Sequence, residues 1–241
     1  MSAVRKRSRA LVRPEKAIPS AIAAAGRLRG GKSPSRTPAA LPTRTRLLET
    51  AQDLIWEHSY ASVSVDAICR RAGVLKGSFY HFFPSKADLA VAALEYRWAN
   101  YAQPKLEKAF AKARSPHERL SRYYDFIYET QRIQRGRVGR TCGCAFASIG
   151  AEQAREEERI RRKTQEVFSR YLAFIRDAME DAVRDGTLSE KDLGPGGVSE
   201  RAREAFSFVH GILLQARVEN DLGMVKRFKS AFLRVAGVRP A

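Results

Sequence analysis

The sequence predicts an all-α protein, and three observations carry that prediction. Apolar residues recur at helical spacing in almost every segment after Pro42. No stretch alternates apolar and polar residues over a useful length, as a half-exposed strand would, and no internal repeat occurs. A chain of 241 residues has room for one small domain and one of ordinary size with an apolar core. We therefore expect a small helical domain followed by a larger helical one.

The chain is strongly basic, and half of the excess charge lies at one end. Lys and Arg number 44 against 26 Asp and Glu, which gives a formal net charge of +18. Residues 1–42 contain ten of these basic side chains and one acid, Glu15, and so carry +9. Such a segment buries too little apolar surface to offset chain entropy, and we expect a disordered basic tail. The charge points to a polyanionic partner, either nucleic acid or an anionic membrane face.

Cysteine usage and the lack of long apolar runs restrict the cellular setting. Cys69, Cys142 and Cys144 are too few for a disulfide framework in a chain of this length, so we expect a reduced, cytoplasmic location. No segment approaches the ~18 uninterrupted apolar residues of a membrane span. The tail loosely imitates a targeting peptide, but Pro19 and Ser20 interrupt its apolar part. We expect no membrane partner.

The first helix of the small domain follows Pro42. Thr43 or Thr45 is placed to cap its start. Its apolar positions form one continuous helical face, which consists of Leu47, Leu48, Ala51, Leu54, Ile55 and His58.

Two shorter helices follow. The first has Ser64 as N-cap and ends at Gly73. Its apolar stripe consists of Val65, Ile68, Cys69 and Ala72. The second runs from about residue 75 or 76 to Phe82, because Pro84 forbids its continuation.

These two short helices and the glycine turn between them have the layout of a helix-turn-helix. In that motif one helix braces across the DNA backbone while the other enters the major groove. Phe79, Phe82 or Phe83 can anchor the second helix inward, and Gly77 lets its backbone approach DNA closely. The outward donors are Lys76, Ser78, Tyr80 and His81. Lys86 opens the next helix, at a position suited to a phosphate.

The rest of the chain is predicted to be helical as well. Ser85 caps a helix that continues to about Asn100, and Ser115 with Glu118 forms a capping box that opens another. A Gly- and Arg-rich stretch over residues 135–143 is expected to interrupt the helical pattern.

Long helices are expected over residues 153–185 and 199–219, followed by a last, shorter one. The helix over 199–219 is apolar on nearly every side, which is too apolar to face water. One side should pack on its own subunit and another on a second copy of the chain, so we expect a homodimer. The residues expected at that interface are Phe206, Val209, Leu213, Val225, Phe228 and Phe232.

The stretch from Ala72 to Leu89 reads AGVLKGSFYHFFPSKADL and resembles the signature of the TetR/AcrR family of bacterial regulators. The similarity covers about residues 43–90, and the helical remainder fits the layout of the family. The resemblance implies an all-helical homodimer, usually a repressor, that binds operator DNA. It implies that the last two long helices pair with their mates in a four-helix bundle, and that a pocket binds an effector that releases the DNA. The domains would then be 43–88 for DNA and 89–238 for effector binding and dimerisation.

The resemblance also assigns roles to single residues. Lys76 matches the position that reads a base, Ser78 and Tyr80 match phosphate and base contacts, and Ser64 and Lys86 match backbone contacts. One departure is the phenylalanine at position 82, because a phenyl ring cannot donate where many members have Tyr or His. The full set expected to bind double-stranded DNA is Thr45, Ser64, Lys76, Gly77, Ser78, Tyr80, His81 and Lys86.

The effector pocket is expected among the aromatic residues of the middle segment, because rings and a few hydroxyls suit a small apolar or aromatic ligand. The expected lining is Tyr96, Tyr123, Tyr124, Cys144, Phe146, Tyr171 and His210. The alternative is a thiol-based sensor of oxidants or electrophiles built on Cys142 and Cys144, since Arg135, Arg137 and Arg140 nearby can lower a thiol pKa.

Other function classes fit less well. An architectural DNA-binding protein without effector would explain the charge but not the about 150 residues of further helical domain. An enzyme is not expected, because four histidines and the lack of a carboxylate constellation, phosphate loop or nucleophile motif leave nothing to carry chemistry. The C-x-C pair at 142–144 supplies only two metal ligands, so neither a metal nor a cofactor is expected.

Overall fold

The computed structural model describes residues 41–239, and helices supply the regular structure of this range. The α-helices are α1 (Thr43–Glu57), α2 (Val65–Ala72), α3 (Lys76–Phe82), α4 (Lys86–Arg97), α5 (Gln103–Ala109), α6 (Pro116–Val138), α7 (Ala145–Gln153), α8 (Glu158–Arg184), α9 (Gly197–Val218), α10 (Leu222–Arg227) and α11 (Lys229–Ala236). A π-helical turn, Trp98–Ala102, joins α4 to α5, and Glu190–Asp192 is a 3-10 turn. No strand occurs within residues 41–239, and the all-α prediction is confirmed. The tail predicted over 1–42 lies, except for its last two residues, outside the described range.

Side-chain caps set the start of several helices. Ser85 and Ser115 each accept a hydrogen bond from the backbone N–H three residues further on, at 3.1 and 3.2 Å, as predicted. The predicted threonine cap of α1 is wrong. Thr43 and Thr45 both lie inside the helix, which starts directly after a proline, and the Thr43 hydroxyl instead accepts a hydrogen bond from Arg46 at 3.3 Å.

The helix-turn-helix is built by α2 and α3, which pack on α1. The Ser64 hydroxyl caps α2 as predicted, and Gly73 ends it with a φ of +64°, a conformation that costs other residues energy. Phe79 and Phe83 are buried and hold α3 to the core, whereas Phe82 is on the exposed side. The choice left open by the sequence is therefore resolved in favour of the first and last of the three rings.

Helix α4 connects these three helices to the rest of the protein. It packs on α1 on one side and on α8 on the other, and thus crosses the boundary predicted between residues 88 and 89. A single apolar core continues from α1 through α4 and α8 to α11, and the described residues belong to one compact unit. Helix α4 therefore packs against both groups of helices.

In the larger group, several helices begin or end at other residues than the sequence predicted. Helix α6 includes the first part of the Gly- and Arg-rich stretch and ends at Val138, with Gly136 at an exposed helical position. Only Gly139, with a φ of +77°, ends it. The helix predicted from residue 153 is preceded by a separate α7, and the last helix is divided at Phe228 into α10 and α11. No helix in the described range has the length and apolar content needed to cross a membrane.

Candidate functional site

The outer face of α3 collects most of the residues predicted to bind DNA. Lys76, Gly77, Tyr80 and His81 are exposed, and Ser78 is half-buried beside them. The phenol ring of Tyr80 is 50% exposed although it stacks edge-on against a core ring. A methyl group built on Gly77 would meet no atom within 4 Å. The face is thus free for a second macromolecule, and glycine at position 77 serves no packing need of the chain itself.

Lys76 is held at the entrance of this face by an ion pair. Its Nζ lies 3.0 Å from a carboxylate oxygen of Asp66 on α2, and the hydrogen bond from the ammonium to that carboxylate raises the pKa of Lys76. Both side chains are exposed, so the pair is weak and can exchange with another anion. The lysine remains charged and exposed.

Two other predicted contacts lie behind α3. The Ser64 hydroxyl accepts the hydrogen bond that caps α2 at 3.1 Å and keeps its own proton for a phosphate. Thr45 lies half-buried in the first turn of α1. Sequence reasoning missed Arg46, whose guanidinium donates to the carbonyls of Ala72 and Gly73 at 3.2 and 3.3 Å and fastens the turn of the motif to α1.

Lys86 has a structural role that the sequence did not indicate. Its ammonium donates to the carbonyl oxygens of Tyr60 and Val63 at 2.9 and 3.1 Å and lies 4.0 Å above the Tyr60 ring. Burial lowers its pKa. The start of α4 is thereby tied to the loop that precedes α2. Because an ammonium has three N–H groups, the predicted phosphate contact stays possible for the third.

A small cavity, partly open to solvent, lies between the two groups of helices. Its volume is about 40 Å³. The residues that line it come from α1, α4, the π-helical turn, α6, α7 with its cap, α8 and α9: Trp56, Arg97, Tyr101, Ala102, Phe126, Ile127, Thr130, Gln131, Cys144, Ala145, Phe146, Tyr171 and Leu213. We call it the inner cavity. Of the predicted effector residues it includes Cys144, Phe146 and Tyr171.

The other predicted effector residues do not line the inner cavity. Tyr96 donates a hydrogen bond to Glu49 at 2.9 Å. Tyr124 donates to the carbonyl of Val225 at 2.8 Å, and burial raises its pKa to about 12. Tyr123 is buried in the core, where desolvation raises its pKa well above the usual range. For these three tyrosines the effector role predicted from the sequence is not supported by their position.

His210 lies on a different feature, a surface groove between α7, α8 and α9. The groove has a volume of about 670 Å³, and the rings of Phe168 and Phe206 flank the histidine at 5.1 and 4.2 Å between centroids. A second opening of about 440 Å³ continues past His210 to Cys144 and Leu214.

The two cysteines of the C-x-C pair lie in different surroundings. Cys142 is buried, and desolvation raises its pKa. Burial also opposes ionisation of Cys144, but His210 and the N–H groups of Phe146 and Ala147 outweigh it and lower the pKa of this thiol. Both thiols are free.

Arg97 was not predicted from the sequence. It is the last residue of α4 and is only 7% exposed. Its guanidinium lies 4.1 Å from the centre of the Trp56 ring and 5.0 Å from that of Tyr101. Desolvation lowers its pKa. The sequence did contain a signal, because Arg97 continues the buried stripe of Ala90, Ala93 and Leu94 at helical spacing.

Most residues predicted to lie at the dimer interface are instead buried in the core of a single subunit, so this prediction is corrected. The residues buried within the chain itself are Phe206, Val209, Leu213, Val225 and Phe232. Those on α9 belong to a helix that packs against α8, α10 and α11 of the same chain. Phe228 is partly exposed, and the exposed apolar residues of α9 are Leu214 at 63% and Val218 at 77%. A helix that is apolar on all sides does not reveal from its sequence which side the subunit itself covers.

The described residues contain no group of three or more His, Cys, Asp and Glu side chains arranged to hold a metal ion.

Both groups of helices are similar to known proteins. The family model of bacterial regulatory proteins of the tetR family matches residues 47–93, and that of the tetracyclin repressor-like C-terminal domain matches residues 116–232. The transcriptional repressor NemR of Escherichia coli is 27% identical over 191 residues, covering 76% of this chain and 92% of NemR. The transcriptional regulator AcuR of Cereibacter sphaeroides is 28% identical over 187 residues, covering 77% of this chain and 81% of AcuR. A TetR-family crystal structure from Agrobacterium tumefaciens has a TM-score of 0.69 at 21% identity, covers 82% of this chain and 98% of its own, and shows the shared fold.

Proposed function

Because the chain belongs to the TetR family of bacterial regulatory proteins, we propose that it is a homodimeric repressor that a small molecule releases from a palindromic operator. Membership of the family makes it a ligand-responsive, DNA-binding transcription regulator. The observation that carries the proposal is the exposed donor row of α3, held rigid by the buried Phe79 beneath it. We propose residues 43–88 as the DNA-binding domain and 89–238 as the effector-binding and dimerisation domain.

In this proposal α2 braces across the sugar-phosphate backbone and α3 enters the major groove. Lys76 leaves Asp66 and contacts a base edge, since an exposed ion pair costs little to exchange. Ser78, Tyr80 and His81 supply further donors, and the bare backbone at Gly77 permits close approach. Two-fold symmetry of the dimer then requires a palindromic site with half-sites roughly 34–36 Å apart.

The dimer face is proposed on α8 and α9. Leu214 and Val218 continue a stripe of α9 that passes through Gly211, and Phe168 and Leu172 lie half-buried on α8 across the groove. Exposed apolar side chains at helical spacing on neighbouring helices are what a four-helix bundle between two copies needs. This face replaces the buried set predicted from the sequence.

The effector is proposed to occupy the inner cavity. The cavity touches α1 and α4, which carry the helix-turn-helix, and α6 to α9, which carry the dimer face. A ligand there releases DNA only if it binds better to a conformation in which the two α3 helices are wrongly spaced. Cys144 has a lowered pKa, but a thiol switch on the C-x-C pair is not favoured over this reading, because the second thiol, Cys142, is buried and desolvation raises its pKa.

The test is footprinting of the purified chain on the DNA upstream of its own gene. We expect a two-fold symmetric footprint. The variant Lys76→Ala should weaken operator binding by about 1–3 kcal/mol and leave random DNA nearly unaffected. Lys226→Ala on α10 is the matched control, because it removes the same charge from an exposed helix far along the chain.

Diffuse coating of the DNA, or equal losses on operator and random DNA for Lys76→Ala, would contradict the proposal. A monomeric mass in sedimentation at micromolar concentration would contradict the dimer.

A further inference from the structure

Arg97 is a buried cation to which the described chain gives no counterion. Its side chain makes no ion pair and no hydrogen bond to any residue in the range 41–239. The groups that act on the charge of Arg97 are, in decreasing order, Tyr171, Tyr101, Cys144 and Asp53. The one carboxylate among them, Asp53, is itself bound by Arg137 at 2.6 Å. Buried charges in proteins are as a rule paired, since an unpaired one is strongly unfavourable. The described residues therefore provide Arg97 with no carboxylate counterion.

The guanidinium is held in place without being neutralised. The rings of Trp56 and Tyr101 lie on it at 4.1 and 5.0 Å, and their faces favour a cation while leaving its N–H groups unused. The planar fork of such a group matches a carboxylate, to which it donates two parallel hydrogen bonds. The cation is fixed in position for an anion that arrives from outside the chain.

The rest of the inner cavity suits the same ligand. No Asp or Glu is among the residues that line it. Burial raises the pKa of Tyr171, so its hydroxyl stays protonated, and within residues 41–239 this hydroxyl makes no hydrogen bond. Gln131 is not available, because its amide both donates to and accepts from the backbone of Gly143, at 2.9 and 3.0 Å. Tyr101 and Thr130 also line the cavity, but their hydroxyls bind each other at 3.4 Å, and Cys144 adds a thiol. Arg97 and the Tyr171 hydroxyl thus face walls on which most other residues are apolar.

The size of the inner cavity restricts the ligand further. One water molecule needs about 10–15 Å³ measured in this way. The cavity of about 40 Å³ therefore holds a molecule of only a few non-hydrogen atoms unless the helices move apart.

We infer that the inner cavity is a site for a small monocarboxylate, whose carboxylate group pairs with Arg97 and accepts a hydrogen bond from Tyr171. This inference rests on the proposed function and specifies the chemical class of its effector. Arg97 ends α4, while Lys86 at the other end ties α4 to the loop before α2. Filling the cavity acts on Arg97 and on Trp56 of α1 at once, and so on both supports of the helix-turn-helix.

The experiment titrates the full chain at pH 7 and constant ionic strength with sodium acetate, and in parallel with acetamide and with sodium chloride. Binding is read from the intrinsic fluorescence of a Trp98→Phe variant, in which Trp56 is the single tryptophan left. Acetate should change the emission and raise the Tm, while acetamide and chloride should not. In the same samples acetate should reduce occupancy of the operator footprint.

Arg97→Met should weaken the acetate response by about tenfold or more, because a hydrogen bond to a charged group is lost. Arg155→Met is the matched control, since it removes the same charge from an exposed position, and should respond like the parent. Equal responses to acetate and acetamide, or to acetate and chloride, would overturn the inference even if Arg97→Met failed to fold. So would an undiminished acetate response in Arg97→Met.

The footprint and the fluorescence titration test the proposed function and the carboxylate site separately. An operator footprint that forms while acetate neither binds nor releases it contradicts only the carboxylate site. Absence of a footprint contradicts the proposed function, while the fluorescence titration still reports whether the site exists.

Discussion

Two buried arginines of this protein have opposite surroundings. Arg119 of α6 is 2% exposed and donates to Asp181 of α8 at 2.6 Å, with Asp177 at 3.4 Å. Arg97 of α4 is 7% exposed and has aromatic faces but no carboxylate. Burial lowers the pKa of both, yet only for Arg119 do neighbouring acids act against that shift as its next largest cause.

This difference indicates that Arg119 stabilises the fold, whereas Arg97 is placed to bind a ligand. Asp177 and Asp181 also bind Lys112 at 2.7 Å each, and Asp181 pairs with Arg184, so Arg119 belongs to an ion-pair cluster in which its own charge has two carboxylate partners. Arg97 lies where α1, α4 and α6 to α9 meet, and its charge is left to be matched from outside. The first arrangement stabilises one conformation, and the second makes the conformation depend on what is bound.

The largest change in stability is expected when the acidic partners of Arg119 are removed. Asp177→Ala with Asp181→Ala leaves a buried guanidinium without a counterion, and the free energy of unfolding should fall by about 3 kcal/mol or more. Arg97→Met should have the opposite sign, unchanged or higher stability, because it removes a buried charge that has no counterion. Urea denaturation of the two variants measures both effects.

Glu180→Ala is the control for the helix itself, since it removes an exposed acid of α8 that pairs only at 3.6 Å, and should change stability by less than about 0.5 kcal/mol. A loss of several kcal/mol for Arg97→Met would show that the chain already satisfies that arginine, and the comparison would no longer hold.

Neither arginine was predicted from the sequence, although each lies at a position of a buried helical stripe. Arg119 follows Pro116 and precedes Leu120 and Tyr123, and Arg97 follows Ala93 and Leu94, so each interrupts a buried stripe at helical spacing. Their fates depend on residues far along the chain, since Asp177 and Asp181 are 58 and 62 positions from Arg119. Periodicity within one helix carries no information about such partners.

Predictions that depend on nearby residues were right, whereas those that depend on residues far along the chain were not. The helix-turn-helix was placed correctly because its caps, its turn glycine and its buried rings all act within about twenty residues. The sides of α9 could not be assigned from the sequence, because burial there depends on helices distant along the chain. Val209 and Leu213 are buried, whereas Leu214 and Val218 are exposed.

A cation of intermediate burial refines the comparison. Lys86 is half-buried and held by two carbonyl oxygens rather than by a carboxylate. Lys86→Met should lower the free energy of unfolding by about 1–2 kcal/mol, less than the loss expected around Arg119, because carbonyls carry only partial charge. It should also weaken binding to every DNA sequence alike and reduce the salt dependence by about one ion, if the third N–H of the ammonium binds a phosphate. Lys226→Met on α10 is the control.

An unchanged salt slope with reduced stability would leave Lys86 as a residue that only positions α4. An unchanged stability would show that the two carbonyls are equally well solvated without it.

The smallest effect is expected where the cation is fully exposed. Asp66→Asn removes the partner of Lys76 and should change the free energy of unfolding by no more than about 1 kcal/mol, because exposed pairs are worth little and the acid also favours the first turn of α2. DNA affinity should rise between about 1.5- and 5-fold, since Lys76 no longer has to leave a carboxylate before it reaches DNA. Asp125→Asn is matched, because Asp125 pairs with Lys229 at 2.7 Å on another exposed surface, and it should leave DNA affinity unchanged. Gel-shift titrations of both variants at one salt concentration make the measurement. Weaker operator binding by Asp66→Asn would mean that the ion pair presents Lys76 to the DNA, so that even this exposed cation would depend on its partner for function.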